Sequence, residues 1–191
     1  MDVFAELPRG PFEVLLVDPP WSYTGQQDKW GAAAKFYPTL SLQQIKTLPI
    51  QSILAKRAVV FCWTTGPQLR TSIRLLRAWG LHYRSVGFVW VKTKQDGTPI
   101  GAQGVRPSVT KQLTEFVLTA SNVREGRPLK LSDESIVQTV FAPKQEHSQK
   151  PESVQDRIDR MYPDARKIEL FARRERAGWT CWGNEITAKE S

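Results

Sequence analysis

No stretch of this chain constrains its fold as tightly as residues 14–21, which read Val-Leu-Leu-Val-Asp-Pro-Pro-Trp. The apolar run has the length and branching of a buried strand, and it stops at a carboxylate. Proline has no N–H and cannot extend a hydrogen-bonded ladder, so the strand is expected to end at Asp18. That puts Asp18 at a strand's C-terminal end, the edge where open α/β sheets bind ligands. Residues 19 and 20 are both proline, so the carbonyls of Asp18 and Pro19 have no N–H following them in the chain. Local geometry leaves such carbonyls available to accept from another molecule. A carboxylate, these carbonyls and the indole of Trp21 together form a receptor for an amino group on a planar ring. A plainer reading is a strand that ends in a turn, with Asp as turn former. Trp21 and Tyr23 directly after the strand argue for the receptor.

The pattern downstream alternates between strand and helix. Ser41-Leu-Gln-Gln opens a short helix with capping-box spacing, a Ser cap and a Gln three residues on. Residues 58–63 read as a second buried strand. Gly66-Pro67 leads into a helix that runs through Trp79 and ends at Gly80, the usual place for a terminating glycine. Residues 84–92 make a third strand, followed by a loop of Gly, Pro, Lys and Arg to about Lys111. A fourth strand is expected over 113–120 and a short fifth over 135–141. Pro151 to Met161 is helical, with Val154, Ile158 and Met161 on one side. Strands over 167–172 and 178–182 complete the set. Strands interleaved with helices predict an α/β fold, a mostly parallel sheet with helices on both faces.

At 191 residues the chain suits a single domain over 1–191, large enough for a core without staples. No apolar stretch approaches a membrane span, and the N-terminus lacks the basic-then-apolar order of a signal peptide. Cys62 and Cys181 sit in apolar, strand-like segments and lack metal-ligand spacing to each other or to His82 and His147. A reducing cytoplasm and no metal are the expectation. The net charge of +8 is unevenly spread: between Asp28 and Asp96 there is no acidic residue and there are eleven Lys and Arg. Such asymmetry points to a polyanion, most simply nucleic acid, and is also consistent with an acidic protein partner. Arg70, Arg74 and Arg77 fall on one helix face, opposite Leu69, Ile73 and Leu76. That stripe is either a solvated face or a track for phosphates.

Three clusters have the composition of a site. The first is Asp18 to Tyr23. The second is His147-Ser-Gln-Lys-Pro, just before a helix start, where N–H groups and the helix dipole favour an anion. Lys150 there would hold a carboxylate, or else be solvated. The third is Glu169-Leu-Phe-Ala-Arg with Gly178-Trp-Thr-Cys-Trp-Gly-Asn-Glu. Glu169 interrupts an apolar strand and needs partners there, either ligand hydroxyls or Arg173 in a structural ion pair. No Gly-x-Gly-x-x-Gly follows a strand, the Walker pattern is absent, and Ser148 beside His147 has no orienting acid.

Taken together and in order, these clusters resemble the DPPW-motif, MT-A70-like family of adenine-N(6) methyltransferases. The resemblance also covers Phe36-Tyr-Pro-Thr-Leu-Ser, Ala78-Trp-Gly, Phe88-Val-Trp-Val-Lys-Thr and Val140-Phe-Ala-Pro. It implies a Rossmann-like fold that binds S-adenosylmethionine, in the permuted order where the catalytic motif precedes the cofactor strand. It implies that Asp18, Pro19, Pro20 and Trp21 form the catalytic motif. Tyr23, Lys29, Trp30, Tyr37, Lys111 and Glu115 would meet the substrate. Asp18, Ser148, Lys150, Glu169, Phe171, Arg173, Asn184 and Glu185 would hold the cofactor, with Lys150 on its carboxylate.

The resemblance further implies a nucleic-acid substrate, DNA favoured over RNA, inside a bacterial or phage-infected cell. One departure stands out. Relatives usually carry an aromatic-rich Gly loop before the fourth strand, where this chain has Pro107-Ser-Val-Thr-Lys. No separate target-recognition domain is expected within residues 1–191, so a homodimer or a heterodimer with a related subunit is compatible with the resemblance. Two further readings remain: a catalytically silent nucleic-acid-binding subunit, and an amide or amine methyltransferase acting on protein.

Overall fold

The computed structural model describes residues 7–20, 40–101, 110–144, 149–183 and 186. Among these, one sheet contains β1 (Phe12–Val17), β2 (Leu54–Thr64), β3 (His82–Thr93), β4 (Thr114–Ser121), β5 (Thr139–Pro143), β6 (Lys167–Leu170) and β7 (Trp179–Trp182). Their order across the sheet is β5-β3-β4-β2-β1-β6-β7. The β1 strand pairs parallel with β2 and β6, β6 parallel with β7, and β3 parallel with β5. Only β4 runs against its neighbours β2 and β3.

Period-two alternation in β1 and β2 sends side chains into two separate cores. Leu15, Val17, Val60 and Cys62 enter one, together with Ile45 of α1 (Leu42–Lys46), Ile50 and Ile53 of α2 (Ile50–Ile53), and Leu75 and Leu76 of α3 (Leu69–Ala78). Val14, Leu16, Phe61 and Trp63 enter the other, with Val154 and Ile158 of α4 (Glu152–Met161). Both faces of the central strands are therefore covered, which is why these strands read as near-continuous apolar runs. The expected α/β class, the mostly parallel sheet and the helices on both faces are all present. No helix of the described residues is long and apolar enough to cross a membrane.

Local signals act as anticipated at several ends. Ser41 and Gln44 form the reciprocal capping box of α1. Gly80 takes a positive φ of 71° just past α3, and Trp79 Nε1 donates to the Ile45 carbonyl, tying α3 to α1. Other boundaries differ for identifiable reasons. The β2 strand begins at Leu54, because exposed Lys56 and Arg57 hide its first half from an apolar scan. A 3-10 turn (Gly66–Gln68) precedes α3. The fifth strand starts at Thr139 rather than residue 135, since Asp133 Oδ1 accepts from both the backbone and hydroxyl of Ser135 and holds that segment in a turn. The β6 strand stops at Leu170, where Phe171 turns out with a φ of 62°. The β4 strand is antiparallel to both of its neighbours, with Trp63 of β2 against Val117 and Trp90 of β3 against Glu115.

Candidate functional site

Five adjacent strands, β3-β4-β2-β1-β6, bring polar or aromatic side chains to one edge of the sheet. Asp18 follows the last residue of β1, and Pro19 and Pro20 end that strand as expected. The carbonyl of Pro20 accepts from Leu40 N–H at 3.2 Å. Next to β1, Glu169 of β6 is in register with Leu16. On the other side, Trp63 lies near the C-terminal end of β2. Because β4 is reversed, it presents its N-terminal end at this edge, with Glu115, its second residue, opposite Trp90 of β3 and close to Lys92.

Lys150 arrives from the turn before α4 and joins these strands electrostatically. Its Nζ lies 2.8 Å from Asp18 Oδ2 and 3.5 Å from Glu115 Oε2. Lys92 Nζ lies 2.6 Å from Glu115 Oε1. The result is a row of alternating sign, Lys92–Glu115–Lys150–Asp18, whose side chains are only 13–23% exposed. Each cation also rests on an indole: Lys92 lies 5.0 Å from the Trp90 ring centre and Lys150 5.5 Å from that of Trp63. The two indoles meet edge to face at 6.2 Å, and Trp90 Nε1 donates to the Ala142 carbonyl of β5.

The same row sets the proton equilibria. Burial alone would raise the Glu115 carboxyl, but Lys150 and Lys92 outweigh it and hold Glu115 below its ordinary value. Burial would likewise lower Lys150, and the charges of Asp18 and Glu115 outweigh that and raise it. Glu169 behaves differently. Burial pushes its carboxyl up to about 7; the hydrogen bond from Gln155 Nε2 at 2.8 Å opposes that shift, and the nearby charge of Asp18 adds to it.

Between the Asp18 end of this row and Glu169 lies a cavity of about 350 Å³, within the range of small-ligand pockets. Trp63, Val154 and Phe171 give it apolar walls, while Asp18, Lys150, Glu169, Arg173 and Arg174 are its charged groups. Phe171 packs edge to face on Trp182 at 5.5 Å. Its left-handed backbone is costly for a side chain with a Cβ, and such strain clusters at ligand sites.

The sequence-derived residues are thus brought together in part. Asp18, Lys150, Glu169, Phe171 and Arg173 share the cavity, whereas Pro19 and Pro20 follow Asp18 in the chain and do not line it. Glu115 stands behind Lys150, held by two lysines, and Lys111 is exposed in the strand's approach. Trp21, Tyr23, Lys29, Trp30, Tyr37, Ser148, Asn184 and Glu185 lie outside the described residues. Lys150 was expected to hold a cofactor carboxylate; here it pairs with two carboxylates of the chain itself. Glu169 takes its hydrogen bond from Gln155, a partner outside the two alternatives read from sequence. Sequence reasoning also passed over Trp63 and Lys92. Strand alternation puts Trp63 on the α4 face, and Lys92 is the charged residue next to the C-terminal end of the largely apolar β3.

The MT-A70 family profile matches residues 12–185. The chain is 36% identical over 203 residues to the type II methyltransferase M.MunI of Mycoplasma sp, covering 97% of this chain and 82% of that one. It is 28% identical to the human N(6)-adenine-specific methyltransferase METTL4, covering 93% of this chain and 38% of that protein. With the Arabidopsis thaliana N(6)-adenosine-methyltransferase MT-A70-like it shares 30% identity over 93% of this chain and 24% of the plant protein.

Proposed function

The chain belongs to the MT-A70 family, and from that premise we propose that it transfers a methyl group from S-adenosylmethionine to the 6-amino group of adenine in nucleic acid. The observation that carries this reading is the Asp18 carboxylate at the lip of a ligand-sized cavity, with Lys150 and Glu169 on its wall. DNA is favoured because the type II enzyme is matched over most of its length, whereas the plant adenosine methyltransferase is matched over about a quarter.

The residues present suit the donor. Arg173 and Arg174 supply positive charge for a carboxylate, Glu169 an acceptor for a ribose diol, and Phe171 a flat apolar wall. When bound, S-adenosylmethionine supplies an electrophilic methyl on a sulfonium sulfur. Glu169 lies on a strand that follows the Asp18 strand in the chain, so we read the motif order as the permuted one of a Rossmann-like methyltransferase.

The amino lone pair of adenine is delocalised into its ring and is a poor nucleophile. An N–H donated to the Asp18 carboxylate, and another to the Pro19 carbonyl, favour a pyramidal nitrogen with a usable lone pair. Holding that nitrogen in line lowers the barrier by about 7–11 kcal/mol through proximity alone. Positive charge then develops on the nitrogen, and the fixed Asp18 carboxylate stabilises it. Asp18 is also the base at hand for the proton the methylated nitrogen sheds. Lys150 keeps that carboxylate oriented by its 2.8 Å contact. The target base must leave its stack to reach the cavity. Arg70, Arg74 and Arg77, all exposed on α3, would contact backbone phosphates away from the cavity, since α3 packs on the other face of the sheet.

Purified protein incubated with labelled donor and separate DNA, RNA and protein pools tests the reading. Label recovered as N6-methyldeoxyadenosine is the expected result. Label only in protein, or oligonucleotide binding without any transfer, would refute it.

A further inference from the structure

We propose that Lys92 is a positioning residue for methyl transfer, acting through Glu115 and Lys150 on the Asp18 carboxylate. The inference rests on the methyl-transfer reading for its kinetic consequence, though not for its geometry. Lys92 sits on β3, with β4 and β2 between its strand and that of Asp18, and it does not line the cavity. Its side chain is nonetheless 21% exposed, paired to Glu115 at 2.6 Å and stacked over Trp90 at 5.0 Å. A lysine so held is part of a built arrangement, since free lysines keep their heads in water.

The arrangement has a definite logic. Glu115 is 13% exposed and has two cations, a near one at 2.6 Å and a far one, Lys150, at 3.5 Å. Among the described residues Lys150 in turn meets two carboxylates, with Asp18 nearer at 2.8 Å. Lys92 satisfies Glu115, and this lets Lys150 lean towards Asp18. Without Lys92, a poorly solvated Glu115 keeps Lys150 as its remaining cation in the row, and the Coulomb pull on Lys150 shifts from Asp18 to Glu115. The carboxylate that must align the adenine amino group then loses its orienting contact. Substrate binding, made mostly elsewhere, is left nearly intact.

The test is Lys92→Met, Lys92→Arg and the double variant Lys92→Met/Lys150→Met, compared with wild type and Lys150→Met. A crystal structure of Lys92→Met is expected to show Lys150 Nζ beyond roughly 3.5 Å from Asp18, outside hydrogen-bond reach. Lys150 still within that reach overturns the inference whether or not the wild type turns over. In steady-state assays, kcat is expected to fall about tenfold or more with KM for oligonucleotide within about twofold, and Lys92→Arg restores most of the rate. The double variant should be no slower than Lys150→Met alone, because both losses pass through one residue. Unchanged kcat in folded Lys92→Met, or fully additive losses, also overturns it. Where Lys92→Met does not fold, Lys92→Gln is read by the same criteria. A wild type that transfers no methyl refutes the proposed function instead, and the crystal structure still decides the positioning claim.

Discussion

Glu169→Gln should stabilise the ligand-free protein while weakening it as an enzyme. In the folded chain the Glu169 carboxyl is pushed from an ordinary 4.5 up to about 7, chiefly by burial. A carboxyl raised on folding binds protons more tightly in the native state, so its contribution to stability is full below 4.5. That contribution drains as pH rises and is gone above about 7. The gap of about 2.5 pH units, at about 1.4 kcal/mol each, caps the cost at about 3.5 kcal/mol. Glu169 is not fully buried, and water screening reduces that to about 2–3 kcal/mol. Glutamine has the same shape and its side-chain carbonyl still accepts from Gln155 Nε2. It carries no charge to desolvate. Thermal unfolding at pH 8 should therefore show Glu169→Gln melting higher by roughly 5–10 °C, at about 2–4 °C per kcal/mol for a domain of this size. Below pH 4.5 the two proteins should converge. The same substitution removes an ionised acceptor from the cavity, and donor affinity by calorimetry should fall by about 1.5–3 kcal/mol. A variant that melts at or below wild type at pH 8, or a difference that ignores pH, refutes the argument.

Three further outcomes follow from the same geometry. Lys150→Met removes the cation 2.8 Å from Asp18 and should lower stability by about 2–3 kcal/mol, discounted from the buried-pair range because the groups are partly exposed. Glu115 is held below its ordinary 4.5 and Lys150 above its ordinary 10.5, so this deficit should be full near pH 7 and shrink at both extremes. Chemical denaturation across pH measures it, and a deficit that grows towards acid contradicts the assignment. Gly183→Ala sets a Cβ 2.2 Å from the Ala172 carbonyl oxygen, so the turn carrying Phe171 must move; donor affinity should drop at least tenfold, and an unchanged value argues against Phe171 as a cavity wall. Replacing Arg70, Arg74 and Arg77 with Gln should reduce the slope of log binding constant against log salt by roughly 0.9 per lost phosphate contact. An unaltered slope would leave α3 a merely solvated face.

The part of the site that is local in sequence was readable beforehand, and the part made by strand pairing was not. Two consecutive prolines after an apolar run fix where β1 ends, and so place Asp18 at the sheet's edge without any knowledge of its neighbours. The Ser41–Gln44 box and Gly80 are equally local. Glu115 and Lys92 meet only because β4 is reversed and registers Glu115 against Trp90, and the sequence pattern of β4 is the same in either direction. Gln155 reaches Glu169 because α4 packs over β6, a contact no helical or strand period encodes. The partner of Lys150 was missed for a related reason: which carboxylate a lysine meets depends on three elements converging, and the sequence shows only the lysine.

The central claim is that the carboxylate at the tip of β1 directs methyl transfer to the adenine amino nitrogen. Nucleoside mass spectrometry of an adenine-containing DNA, after incubation with donor and either wild type or Asp18→Ala, tests it most directly. The account predicts N6-methyldeoxyadenosine from wild type and none from a folded Asp18→Ala that still binds the donor. Comparable product from both proteins, or methylation at another atom, would contradict it.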